Sequence, residues 1–64
     1  MRVHYPGGSY SDIPVKECRL EEVLSTLGLN PLEVIVSRNG VIIPEDSIVG
    51  NADELRIYRV AHGG

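Results

Sequence analysis

Hydrophobic and polar positions change period three times along this chain. Met1, Val3 and Tyr5 alternate with Arg2 and His4, the period of a half-buried strand. Pro6-Gly7-Gly8-Ser9 is a dense turn signal. A second extended stretch runs from Tyr10 to Val15, with Ile13 and Val15 on one face. Pro14 lacks a backbone donor, so this stretch is an edge strand or an irregular one, and the two stretches read as a hairpin. The period then lengthens. Leu20, Val23, Leu24 and Leu27 fall at i, i+3, i+4 and i+7, an amphipathic stripe that predicts a short helix over residues 19–27. Glu21 and Glu22 suit the positive end of its dipole, and Gly28 suits a left-handed position just past its end. Its start has only Cys18 or Arg19 where Ser, Thr or Asp caps best.

Asn30-Pro31 marks a turn, with Asn30 placed to cap. The β-branched run Val34-Ile35-Val36 predicts a strand over Glu33 to Ser37. Asn39-Gly40 is the strongest hairpin signal in the chain, because a type I′ turn needs positive φ at both central residues. Val41-Ile42-Ile43 returns as a strand that Pro44 stops. Residues 45–54 are polar and turn-like, anchored by Ile48 and Val49, and Leu55 to Val60 forms a last strand. Ala61-His62-Gly63-Gly64 carries too little apolar content to pack, so residues 1–60 are expected to form one domain and residues 61–64 a flexible tail. The expected core comprises Met1, Val3, Ile13, Val15, Leu20, Val23, Leu24, Leu27, Val34, Val36, Leu55 and Ile57. The simplest two-layer solution is an α+β fold, with one helix on a four- or five-stranded mixed sheet.

Length and charge narrow the function classes. A 64-residue domain buries about 60% of its unfolded surface and has no room for an enclosed, water-excluding active site. A self-sufficient enzyme is therefore not expected. No apolar run approaches the ~20 residues that cross a bilayer, and no apolar segment after Arg2 suggests a secretory signal. Cys18 is the single cysteine, so a reducing cytosol is the expected compartment. With a net charge of −3 and six dispersed basic residues, nucleic acid is not expected as a direct ligand.

Several motifs in combination carry a resemblance. Val34-Ile35-Val36-Ser37-Arg38-Asn39-Gly40-Val41-Ile42-Ile43-Pro44, then Asn51-Ala52-Asp53-Glu54-Leu55-Arg56-Ile57, then Gly63-Gly64, resemble the ubiquitin-like β-grasp sulfur-carrier family. That family includes the thiamine-pathway carrier, the molybdopterin synthase small subunit, the ubiquitin-related modifiers and small archaeal modifiers. The resemblance is strong over residues 29–64 and one of pattern before them. Ala52 stands where the family usually has Gly, which implies a differently built turn.

The resemblance implies a carrier, not an enzyme. An E1-like enzyme using ATP and Mg²⁺ would adenylate the terminal carboxylate of Gly64, and sulfur would replace the adenylate to give a thiocarboxylate. Gly63 and Gly64 would thread a narrow channel, because a residue without Cβ lets backbone approach the nucleotide. No cofactor or metal is expected on the chain itself. The implied partners are the E1-like activating enzyme and a sulfur acceptor, either a thiamine or molybdopterin synthase or a tRNA-thiolation enzyme. The alternative is a protein modifier joined through its C-terminus to target lysines. A third class, a β-grasp RNA-associated module, fits the acidic balance and the terminal Gly-Gly poorly. The chain alone is expected to be monomeric.

Individual residues carry two readings each. Tyr58, alternating with Leu55 and Ile57, is either an interface anchor or an isolated exposed aromatic. Arg56 and Arg59 either steer an acidic partner or are simply solvated, and His62 either touches the partner's channel or nothing. Cys18 is a packed small residue or a thiol activated at a helix start. His4 and His62 have no metal-ligand spacing. Lys16 is the only lysine, a surface residue and the sole side-chain amine for self-conjugation. A docking surface is expected around Tyr58, using either Val41 and Ile43 or Ile42, and rimmed by Arg38, Arg56 and Arg59.

Overall fold

The structure is a computed structural model that describes residues 1–60. The expectations for His62, Gly63 and Gly64 lie outside the described residues.

Strands β1 (Arg2–His4) and β2 (Tyr10–Asp12) form the first hairpin. Strand β3 (Cys18–Arg19) leads directly into helix α1 (Leu20–Thr26). Strands β4 (Val34–Arg38) and β5 (Val41–Ile43) form the second hairpin, and β6 (Ile48–Val49) and β7 (Glu54–Arg59) follow. The five-stranded sheet has the order β2-β1-β7-β4-β5, and β3 and β6 form a separate two-stranded ladder. The last strand lies at the centre, parallel to β1 and antiparallel to β4. Each hairpin thus flanks β7, and α1 covers one face. This is the expected α+β, β-grasp architecture with a mixed sheet on one helix.

Local chemistry explains each element. Asn39 at φ 52° and Gly40 at φ 82° form the turn that the Asn-Gly pair predicts. The extended stretch from Tyr10 ends earlier than expected, at Asp12. Ile13 still bonds back to the Met1 carbonyl at 2.8 Å, but Pro14 has no donor and the Val15 N–H turns to Asn51 Oδ1 at 2.8 Å. The missing helix cap is supplied from elsewhere in the chain. The N–H groups of Leu20 and Glu21 donate to the carbonyls of Ser47 and Glu45, both at 2.8 Å. The Glu22 carboxylate accepts the Arg19 N–H at 2.9 Å. Arg19, whose guanidinium only donates, makes no side-chain cap bond. At the other end Gly28 takes φ 75°, and Leu29 and Gly28 donate to Leu24 and Ser25 carbonyls at 2.8 and 3.0 Å, a Schellman closure. The turn with Ala52 is held without positive φ at that residue. Gly50 N–H donates to Asp53 Oδ2 at 2.8 Å and Asp53 N–H to the Gly50 carbonyl at 3.0 Å.

Of the expected core, Met1, Val3, Leu20, Val23, Leu24, Val36, Leu55 and Ile57 are buried, while Ile13, Val15, Leu27 and Val34 pack half-buried against them. Val49 joins the buried set and Ile48 is exposed. Two adjacent apolar residues in a polar segment cannot both face inward when the segment is extended. Pairing of Cys18 with Val49 and Arg19 with Ile48 settles which one does.

Candidate docking face

The face of the sheet away from α1 is open, and β7 organises it. Leu55 and Ile57 point into the core, so strand alternation turns Glu54, Arg56 and Tyr58 outward. The register carries this parity across the sheet. His4 pairs with Tyr10 and Arg56, Arg56 with Ser37, and Ser37 with Ile42. One row therefore reads Tyr10, His4, Arg56, Ser37, Ile42. Ile35 sits opposite Tyr58, and Arg2 between Asp12 and Glu54.

The face divides into an apolar end and a charged end. Tyr58, Ile35 and Ile42 are 48%, 39% and 67% exposed, and together they form an apolar patch. Ser37 lies beneath it, the one buried polar side chain among the described residues. At the charged end Arg2 forks onto Asp12, Nε to Oδ1 at 2.8 Å and Nη2 to Oδ2 at 3.1 Å, and its guanidinium lies 4.3 Å from the Tyr10 ring centre. His4 Nε2 meets Glu54 Oε2 at 2.6 Å. The Arg2 hydrogen bond holds the Asp12 carboxyl below its ordinary value, and the bond to His4 does the same for Glu54. Asp12 in turn raises Arg2.

The expected rim of three arginines does not form. Arg56 alone shares the Tyr58 face. Arg38 shares the parity of buried Val36 and points to the helix side. Its Nη1 donates to the Ile48 carbonyl at 2.8 Å and lies 3.6 Å from Asp53 Oδ2. Arg59 pairs with Val34, on the parity of Leu55 and Ile57. It is exposed, at the end of β7, where it shares a shallow depression with Tyr5, Arg56 and Tyr58. Of the two apolar sets considered on β5, Ile42 faces outward. Ile43 packs on the core, and Val41 lies opposite Arg38.

The arrangement suits binding more than bond-making. Ser37, His4 and Glu54 invite comparison with a nucleophile–base–acid set, but β7 separates Ser37 from His4 by two strand spacings, roughly 10 Å. That exceeds the hydrogen-bond reach such a pair needs. Among the described residues no three His, Cys, Asp or Glu side chains group as a metal site. No described helix is long and apolar enough to cross a membrane. On the helix side, Ile13, Val15, Cys18, Val23 and Leu27 line an open apolar groove. Cys18 is half-buried there, and Lys16 is exposed at its margin.

Sequence reasoning missed Ile35 and the His4–Glu54 pair on the outer face. Ile35 was hidden in a β-branched run whose outward member depends on register. The His4–Glu54 pair spans 50 positions and exists only because β1 and β7 run parallel.

No protein-family model matches the chain. It is 34% identical over 53 residues to an uncharacterized protein of Archaeoglobus fulgidus, covering 83% of this chain and 78% of that one. Its structure is similar to the thiamine biosynthesis protein ThiS from Geobacter metallireducens, with a TM-score of 0.67 and 21% identity over the whole of both chains. The chain belongs to one family with the Archaeoglobus fulgidus protein, and its fold is the β-grasp fold of ThiS.

Proposed function

We propose that this chain is a sulfur carrier, activated at the carboxylate of Gly64 by an E1-like enzyme. The observation that carries the reading is the end-to-end match to the ThiS fold, joined to the hairpin and Gly63-Gly64 motifs of the sequence. The Gly64 carboxylate attacks the α-phosphate of ATP, pyrophosphate leaves, and an acyl-adenylate forms. A sulfide-level sulfur nucleophile then adds at that carbonyl and AMP leaves, giving a thiocarboxylate. The chain enters these steps as the substrate. It supplies a carboxylate, two residues without Cβ to pass a narrow channel, and a body that docks. Ordering the tail costs about 1–2 kcal/mol per residue, which docking must offset. The Tyr58–Ile35–Ile42 patch is the surface proposed to do so, with Arg56 beside it. A sulfur acceptor would use the same face in turn.

The test is ATP–pyrophosphate exchange by the host's E1-like enzyme, with this chain as the carboxylate substrate. The full chain should support exchange and a variant lacking Gly64 should not. Equal exchange by both would refute the reading. Intact mass of the protein from its host shows whether the native chain ends at Gly64 and whether sulfur has replaced one oxygen there. Val-Ala-His-Gly-Gly remnants on lysines of other proteins, left by trypsin cutting after Arg59, without that replacement, would instead identify a modifier.

A further inference from the structure

Among the described residues the outer face holds five Arg, His, Asp and Glu side chains, and the four at its charged end are already matched. Arg2 is committed to Asp12 through two hydrogen bonds. His4 and Glu54 are committed to each other, and that bond survives in either charge state of the imidazole, since a neutral Nε2–H also donates. Arg56 has no ion pair and no side-chain hydrogen bond among the described residues. The nearest acid along its own strand, Glu54, is taken by His4. Yet Arg56 lies in the same row as Ile42 and two residues from Tyr58 on the same face, at the margin of the apolar patch. Any surface that covers Tyr58, Ile35 and Ile42 must also cover Arg56. A guanidinium covered by apolar groups alone loses its water and gains nothing, which costs more than the patch returns.

We infer that the counter-surface on the partner is apolar with one carboxylate set against Arg56, and that this charge pair selects the partner. The inference rests on the carrier reading only for who the partner is, the E1-like activating enzyme. The chemistry of the contact comes from the face itself. A polyanion is a poor occupant: among the described residues Arg56 is the one unpaired cation whose strand parity puts it on this face, Arg59 is exposed only at its end, and the chain's net charge is −3. A second copy is a poor occupant as well. Two copies face to face bring two Arg56 side chains into one contact with carboxylates that already have partners.

Exchange kinetics separate a local charge pair at Arg56 from an effect of net charge. The purified activating enzyme is titrated with wild type, Arg56→Glu and Lys16→Glu. The last makes the same change in net charge on the helix side. Arg56→Glu should raise the KM for the carrier roughly thirtyfold, as for truncated buried charge pairs, and leave kcat within about twofold. Lys16→Glu should leave both unchanged. An Asp or Glu→Arg variant at the enzyme's docking surface should recover most of the KM lost by Arg56→Glu. Unchanged KM for Arg56→Glu overturns the inference, as does an equal rise for Lys16→Glu, which would reduce it to net charge. Self-association of the carrier alone through this face, seen by sedimentation and lost in Arg56→Glu, also overturns it. No exchange by wild type removes the carrier reading itself, and the named partner with it.

Discussion

Leu24 is the side chain whose loss the fold should feel most simply. It is 2% exposed, sits on the inward stripe of α1 with Leu20 and Val23, and belongs to the one buried cluster shared with Leu55, Ile57 and Val36. Leu24→Ala removes the equivalent of about three methylenes, worth ~2.4 kcal/mol of transfer free energy. The cavity left beneath a short helix raises the cost to about 3–4 kcal/mol. A domain of this length has roughly 3–10 kcal/mol of stability in all. The variant should therefore melt about 15–25 °C below wild type, or be unfolded at room temperature. Urea unfolding by circular dichroism measures the difference. Leu32→Ala, at a residue 81% exposed, is the matched control and should change stability by less than about 0.5 kcal/mol. Leu24→Met, which keeps volume, should cost less than about 1.5 kcal/mol. A Leu24→Ala variant within about 0.5 kcal/mol of wild type would place another face of the helix inward and refute the packing described.

The Asn39-Gly40 turn should tolerate little. Gly40→Val puts a β-branched residue at φ 82° and is expected to cost at least ~1 kcal/mol in urea, against a few tenths for Ala52→Gly, whose turn needs no positive φ. Asp12 and Glu54 titrate below their ordinary values of 3.8 and 4.5 in the folded chain. The unfolded chain thus binds more protons in that window, so their contribution is present above it and is lost as pH falls through the depressed values. Both are exposed, so the effect is shallow. The double variant Asp12→Asn, Glu54→Gln should lose less stability than wild type between about pH 6 and about pH 2.5 in urea titrations, and a parallel loss would refute the two pairings. Gly63→Val should leave thermal unfolding unchanged, because Ala61-His62-Gly63-Gly64 carries too little apolar content to contribute to a core, and should abolish ATP–pyrophosphate exchange.

How much of this was legible beforehand depended on the range of the interaction. The β4–β5 hairpin was readable because two adjacent residues dictate the turn. The inward stripe of α1 was readable because 3.6-residue periodicity is a property of one segment. The cap of α1 was not. Its donors are satisfied by the Glu45 and Ser47 carbonyls, over twenty residues away, and a backbone carbonyl has no residue signature. Val49 was read as an anchor only together with Ile48, and left out of the expected core, for the same reason. A two-residue ladder to Cys18 and Arg19 is too short to impose a pattern, yet it decides which of two neighbours is buried.

The candidate face shows the same limit more sharply. Alternation along β7 placed Arg56 and Tyr58 together outside, which required only that Leu55 and Ile57 face in. It could also have removed Arg59, since an odd offset from Tyr58 on one strand reverses the side. Arg38 needed more. Its side is settled by the register of β4 against β7, where Arg38 meets Leu55 and Ser37 meets Arg56. A shift of one residue in that register would have sent Arg38 outward and buried the Ser37 position under the helix. The three-arginine rim was thus an error of register at Arg38 and of alternation at Arg59, and correcting it changes the chemistry asked of a partner. Three cations around an apolar centre would favour any acidic surface by long-range attraction. One cation on the patch's own face, with Arg59 only at the strand end, favours a surface with a carboxylate in one place, and discriminates by the cost of covering Arg56 wrongly.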